Sequence, residues 1–136
     1  MEKKKHKILV IEDDLSMAKV LDKWLKVFGC DIVKTYKGET GLNAAKMEAP
    51  DLILLDLMLP DIGGVEVAKR LKQEASTKDI PIIFMTAYMG VEMDKGDEKI
   101  EIDGQLYTVF AKPLHNRKLL SEIRKTINRR IHGNDS

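Results

Sequence analysis

Five short runs of apolar and β-branched residues recur along this chain: "KILVI" (7–11), "DIVKTY" (31–36), "LILL" (52–55), "IPIIFM" (80–85) and "YTVFA" (107–111). Runs this short and this apolar suit strands, several of them covered on both faces. Between them lie segments of helical period. In "SMAKVLDKWLKVFG", Met17, Val20, Leu21, Trp24, Leu25 and Phe28 recur at i, i+3 and i+4, Ser16 can cap the start and Gly29 can close the end. "GLNAAKM" after Gly38 and "VEVAKRLKQ" after Gly63-Gly64 read as shorter helices, and "NRKLLSEIRKTINRRI" carries Leu120, Ile123, Ile127 and Ile131 on one stripe. Alternation of strand and helix implies a parallel sheet with helices on both faces, joined by right-handed crossovers. No repeat, low-complexity stretch or interdomain linker interrupts it, so the expectation is one α/β layer sandwich.

Size and charge narrow the functions open to it. With 136 residues and 43% hydrophobic content, one core can bury about two thirds of the unfolded surface. Lys+Arg 23 against Asp+Glu 22 leaves a net charge of +1, so no global field draws the chain to nucleic acid or membrane. The lone Cys30 cannot form an internal disulfide, and no histidines cluster around it in a zinc-ligand spacing. The basic start "MEKKKHKILVIEDD" has only four apolar residues before acid begins, too few for a signal sequence or a membrane span. A cytoplasmic protein is expected.

The chemistry lies at the strand ends. Open α/β sheets bind ligands beyond the carboxyl ends of their strands, where the strand order reverses. Here those ends carry Glu12-Asp13-Asp14, Asp56, Thr86 and Lys112-Pro113. Clustered carboxylates repel one another unless a counter-charge is present, and hard oxygen ligands with room for water suit Mg²⁺. Asp56 is then a candidate nucleophile toward phosphorus, with Mg²⁺, Lys112 and Thr86 each holding one phosphoryl oxygen. Taken singly, Asp13 or Asp14 is an ordinary helix cap, Lys112 a surface charge and Thr86 a strand end. Their joint placement at four strand ends points to phosphoryl transfer.

These residues resemble the receiver domains of two-component response regulators, a family that includes the chemotaxis receiver. "ILVIEDD" looks like the family's first strand with its acidic pair, "LILLDLMLPDIGG" its phosphoacceptor strand and loop, "IIFMTA" its threonine strand and "VFAKP" its lysine and proline. The resemblance spans about residues 6–132. It implies a flavodoxin-like, doubly wound, parallel five-stranded sheet of order 2-1-3-4-5. It also implies phosphorylation on Asp56, Mg²⁺ held by Asp13, Asp56 and the backbone carbonyl of Met58, and Glu12 acting through a metal-bound water. Thr86 would turn to the phosphoryl group and Lys112 would pair with it. The partners implied are a sensor histidine kinase or phosphotransfer protein and a downstream protein target, with phosphorylation-dependent dimerisation open to it and no direct nucleic-acid contact. Such a domain would catalyse its own phosphorylation and dephosphorylation while serving chiefly as a signalling protein. The expectation is a stand-alone receiver over 6–132 with flexible termini at 1–5 and 133–136.

Several positions depart from the family pattern. The aromatic usual three residues before the lysine is replaced by Val109, with Tyr107 on the same strand face and Phe110 on the opposite one. Met58 and Tyr88, two residues after the acceptor and the threonine, are large and carry no group that could orient a water, which implies slow self-dephosphorylation. "KIEIDGQLYTVF" (99–110) reads as a β-hairpin turning at Asp103-Gly104, with Ile100 opposite Tyr107 and the fourth helix reduced to "GVEMDKGDE". The alternative there is an uninterrupted helix followed by a long loop. Competing functions are a receiver-fold interaction module that is never phosphorylated, and an aspartyl-nucleophile phosphohydrolase. The latter commonly needs an acid where Met58 stands. His6, His115 and His132 are scattered, and the basic residues from Arg117 to Arg130 suit a solvated helix face better than a nucleic-acid patch.

Overall fold

A computed structural model describes residues 5–87 and 98–132. The apolar runs become strands β1 (Lys7–Ile11), β2 (Asp31–Thr35), β3 (Leu52–Asp56), β4 (Ile82–Thr86), β5 (Glu98–Ile102) and β6 (Gln105–Ala111). They form one sheet of order β2-β1-β3-β4-β6-β5, parallel at every junction except the antiparallel β5–β6 pair. The expected order 2-1-3-4-5 is present, with β6 as its fifth member and β5 added outside it. Helices α1 (Leu15–Val27), α2 (Gly38–Glu48), α3 (Gly64–Lys72) and α4 (Asn116–His132) fill the connections.

The sheet separates two apolar layers. Alternate residues of the central strands, Leu9, Ile11, Ile53, Leu55, Phe84 and Val109, pack with Leu42 and Ala45 of α2 and Val67, Ala68 and Leu71 of α3. The intervening residues, Ile8, Val10, Leu52, Leu54, Ile83, Met85 and Phe110, pack with Leu21 and Leu25 of α1 and Leu119, Ile123 and Ile127 of α4. Burial on both faces is why these strands read as continuous apolar runs rather than as alternating ones.

Three local expectations need correction. Asp14, not Ser16, caps α1: its carboxylate accepts from the Ser16 and Met17 N–H groups at 2.9 and 3.2 Å. A carboxylate two residues earlier reaches two orphan amides, leaving the serine inside the first turn. The stripe of α4 is led by the fully buried Leu119, with Leu120 only partly buried, while Ile131 is 54% exposed because the helix runs past the sheet. On α1, Val20 faces outward and the small Ala18 takes the buried position.

The hairpin is present in the expected register. Ile100 stands opposite Tyr107 and Ile102 opposite Gln105, and the turn residues Asp103 and Gly104 have φ of 51° and 84°. Tyr107 is buried edge-on against Phe84, ring centroids 5.4 Å apart, which fixes the added strand to the core. Of the segment expected to hold a reduced helix, Glu98 begins β5 and the rest lies outside the described residues.

At the start of α3 the chain passes within van der Waals contact of β3. A Cβ on Gly64 would stand 2.5 Å from the Asp56 carbonyl oxygen and 2.8 Å from the Leu57 Cα, whereas one on Gly63 would meet only the Leu57 carbonyl at 3.9 Å. Backbone cannot swing aside as a side chain can. Gly64→Ala is therefore expected to destabilise the protein by about 1–3 kcal/mol and Gly63→Ala by no more than about 0.5 kcal/mol, as measured by urea unfolding.

Candidate functional site

The strand order reverses between β1 and β3, because the chain runs outward from β1 to β2 and then returns to the other side of β1. The carboxyl ends of these two strands flank the crevice where such sheets bind ligands. Glu12 follows β1 and Asp56 ends β3, and both are buried, at 0% and 3% exposure. The neighbouring β4 ends in Thr86, also buried, and Lys112 follows β6 with its N–H donating to the Thr86 carbonyl at 2.9 Å. All four strand ends singled out from the sequence thus meet at one edge.

One backbone amide and one side-chain ammonium fix the Asp56 carboxylate. Asp56 Oδ1 accepts from the Met58 N–H at 2.9 Å, and Oδ2 accepts from Lys112 Nζ at 3.1 Å. Lys112 Nζ also forms an ion pair with Glu12 Oε1, while Glu12 Oε2 accepts from the Asp14 N–H at 3.0 Å. One ammonium, itself only 14% exposed, therefore bridges carboxylates from two different strands. The Lys112–Pro113 peptide bond is cis. Met58, two residues after Asp56, is 68% exposed. Tyr88 lies outside the described residues.

The electrostatics follow from this crowding. Burial pushes the Glu12 carboxyl up to about 7, contact with Asp56 adds to the rise, and Lys112 and the Asp14 N–H oppose it. Burial works to lower the Lys112 ammonium, but its contacts with Glu12 and Asp56 outweigh that and raise it. Glu12, Asp13 and Asp56 each offer a carboxylate oxygen, all within 4.8 Å of one another, with Asp13 exposed and the other two buried. Glu12 Oε1 is buried against the Lys112 ammonium. An all-oxygen set with one solvent-exposed member fits a hard divalent cation such as Mg²⁺.

Asp61 is a positioning group that sequence reading missed. Its two carboxylate oxygens accept from the Gly38 and Glu39 N–H groups at 2.8 and 2.9 Å, tying the loop after β3 to the start of α2. These amide bonds, Glu39 first, hold its carboxyl down to about 2. A helix cap supplied from 23 positions away leaves no local signature, and only the Pro60-Asp61 turn chemistry hinted at a structured loop.

Glu12 makes stability depend on pH in a defined direction. Between its ordinary value of 4.5 and about 7, the folded protein keeps a proton that the unfolded chain has released, so this group's contribution falls as pH rises through that window. In chelator, the metal-free protein is expected to lose on the order of 2–3 kcal/mol from this group between those limits, and Glu12→Gln to flatten that part of the profile. Urea midpoints across the window measure it.

Residues 8–124 match the response regulator receiver domain family. The chain is 34% identical over 128 residues to the response regulator ArlR of Staphylococcus saprophyticus, covering 94% of this chain and 55% of that protein. It is 36% identical over 125 residues to "Probable transcriptional regulator ycf27" of Porphyridium aerugineum, covering 92% and 49%. The chain thus spans about half the length of these relatives. Among solved structures, a CheY-like receiver domain protein from Methanospirillum hungatei superposes with a TM-score of 0.78 at 19% identity, covering 96% of this chain and 100% of that one. The receiver domain of sensor histidine kinase PA1611 from Pseudomonas aeruginosa, which has a magnesium ion coordinated in its active site cleft, superposes at 0.77 with 22% identity, covering 92% and 99%. At these identities the structural likeness speaks for the fold, and the family follows from the sequence matches. This chain belongs to the response regulator receiver domains of two-component signalling.

Proposed function

We propose that this protein accepts a phosphoryl group onto Asp56 from a histidine kinase or phosphotransfer protein, in the cytoplasm, and signals by a change of shape. The observation that carries this reading is the Asp56 carboxylate itself. It is 3% exposed, held by the Met58 N–H and Lys112 Nζ, and grouped with Glu12 and Asp13 at the reversal of strand order. A carboxylate this buried, beside a second one, needs a function to justify its desolvation.

In the proposed transfer, a lone pair on a carboxylate oxygen of Asp56 forms the new O–P bond. The N–P bond of the donor phosphohistidine breaks, its electrons return to the imidazole nitrogen, and that nitrogen takes a proton from solvent. The Met58 N–H orients the carboxylate, and the Lys112 ammonium, already at the edge of the site, pairs with a phosphoryl oxygen. The Thr86 hydroxyl is assigned to another. Mg²⁺, when bound by Asp13, Asp56 and the Met58 carbonyl, with Glu12 acting through a water, supplies neutralisation of charge on the phosphoryl oxygens. The exposed Met58 side chain offers no group to align an attacking water, so the acyl phosphate is expected to hydrolyse slowly.

Two experiments test this. Asp56→Asn should abolish the gain of one phosphoryl mass on treatment with a small phosphodonor and Mg²⁺, read by intact mass, while circular dichroism stays native. A labelled Asp56→Asn protein would place the acceptor elsewhere. For lifetime, Met58→Asn should speed loss of the phosphoryl group at least severalfold, and an unchanged decay rate would reject water exclusion as its cause.

A further inference from the structure

Strand β5 ends the sheet, and no described residue pairs with its outer side. The two-residue turn at Asp103-Gly104 determines which backbone groups face that side. In such a hairpin the residues flanking the turn, here Ile102 and Gln105, form a hydrogen-bonded pair, and hydrogen-bonded pairs recur at every second position. Glu98, Ile100 and Ile102 therefore direct their N–H and C=O groups to β6. Lys99 and Glu101 direct theirs outward. Both of their side chains are exposed, on the sheet face opposite Tyr107, and Lys99 Nζ donates to Thr108 Oγ1 at 2.8 Å on that same face.

We propose that this edge pairs with the same edge of a second copy of the chain, antiparallel and centred on Ile100, to join the two sheets into one. In that register Lys99 of each copy stands opposite Glu101 of the other. The two residues with outward backbone groups then meet each other, and each such pair exchanges two inter-chain hydrogen bonds. Ile100 meets its own counterpart in the intervening pair, on the face where it already packs against the apolar layer that contains Tyr107. Registers centred on Lys99 or Glu101 would set like charges opposite one another and are disfavoured. A lysine on an edge strand ordinarily discourages strand addition, but here the glutamate two residues on makes the edge self-complementary.

The surface is small. A five-residue edge buries well below the roughly 800 Å² per partner of a standard interface, so the pair is weak and reversible, with a dissociation constant on the order of 0.1–1 mM. It requires no phosphoryl group on Asp56, and so goes beyond the proposed function and stands or falls apart from it.

Sedimentation equilibrium on the unphosphorylated full chain, from about 10 μM to about 1 mM, tests the proposal. The native chain is expected to dimerise across that range. Lys99→Glu and Glu101→Lys should each weaken association at least about tenfold, because each sets two like-charge pairs across the edge. Mixing K99E with E101K, or combining both changes in one chain, should restore it, since opposite charges then face each other again. Neither residue is buried, and thermal unfolding of each variant confirms that the fold is kept. A native chain that stays monomeric throughout overturns the proposal and leaves the edge to a strand of a different protein. Single variants that dimerise as well as the native chain also overturn it, by placing the interface on another face. Failure of the charge-restored combinations overturns the register.

Discussion

Lys112 touches two carboxylates that reach it from two separate strands, and the rest of the functional edge is organised around that contact. Glu12 and Asp56 are both withdrawn from water, and removing a carboxylate from water costs several kcal/mol even after relaxation. One ammonium offsets part of that cost without cancelling it, because two anions face one cation. The residual imbalance appears as the raised Glu12 carboxyl. The edge is thus poorly satisfied alone and is improved by any added positive charge. The apolar layers on either side of the sheet supply the stability that lets this imbalance persist.

Position matters as much as charge, and it is set by a loop held at both ends. After β3 the chain is fixed by the Leu57 N–H to the Met85 carbonyl at 2.9 Å and by the Gly64 N–H to the Leu57 carbonyl at 2.9 Å. Midway, Asp61 grips the start of α2. The Met58 backbone, whose N–H donates to Asp56 Oδ1, lies inside this restrained segment. The loop after β3 is therefore tied by hydrogen bonds to β4, to the start of α2 and to the first residue of α3.

The sequence made the sheet legible because its central strands are buried on both faces and so read as uninterrupted apolar runs. It made the strand-end residues legible because a polar residue directly after such a run has few structural reasons to be there. Asp103-Gly104 marked the hairpin and its register, since few other dipeptides accept two positive φ values. Contacts that depend on the third dimension left no trace. Nothing around Asp61 points to residue 38, and nothing around Glu12 announces that Lys112 will reach it. Helix details failed for a related reason: whether Leu119 or Leu120 faces the core depends on where α4 docks, which periodicity alone fixes only to within a residue.

The hairpin also bears on how the chain reaches this structure. Every parallel junction in the sheet joins strands separated by a helical or long connection, so each must close a long loop before its contacts form. Strand β6 has a neighbour only two residues away along the chain. A hairpin of this kind forms in about 1–10 μs, faster than non-local pairing of a sheet this size. The strand that delivers Lys112 can thus take its extended shape from β5 before β4 is in place. Docking of a preformed ribbon, rather than of a bare strand, then becomes the step that assembles the charged edge.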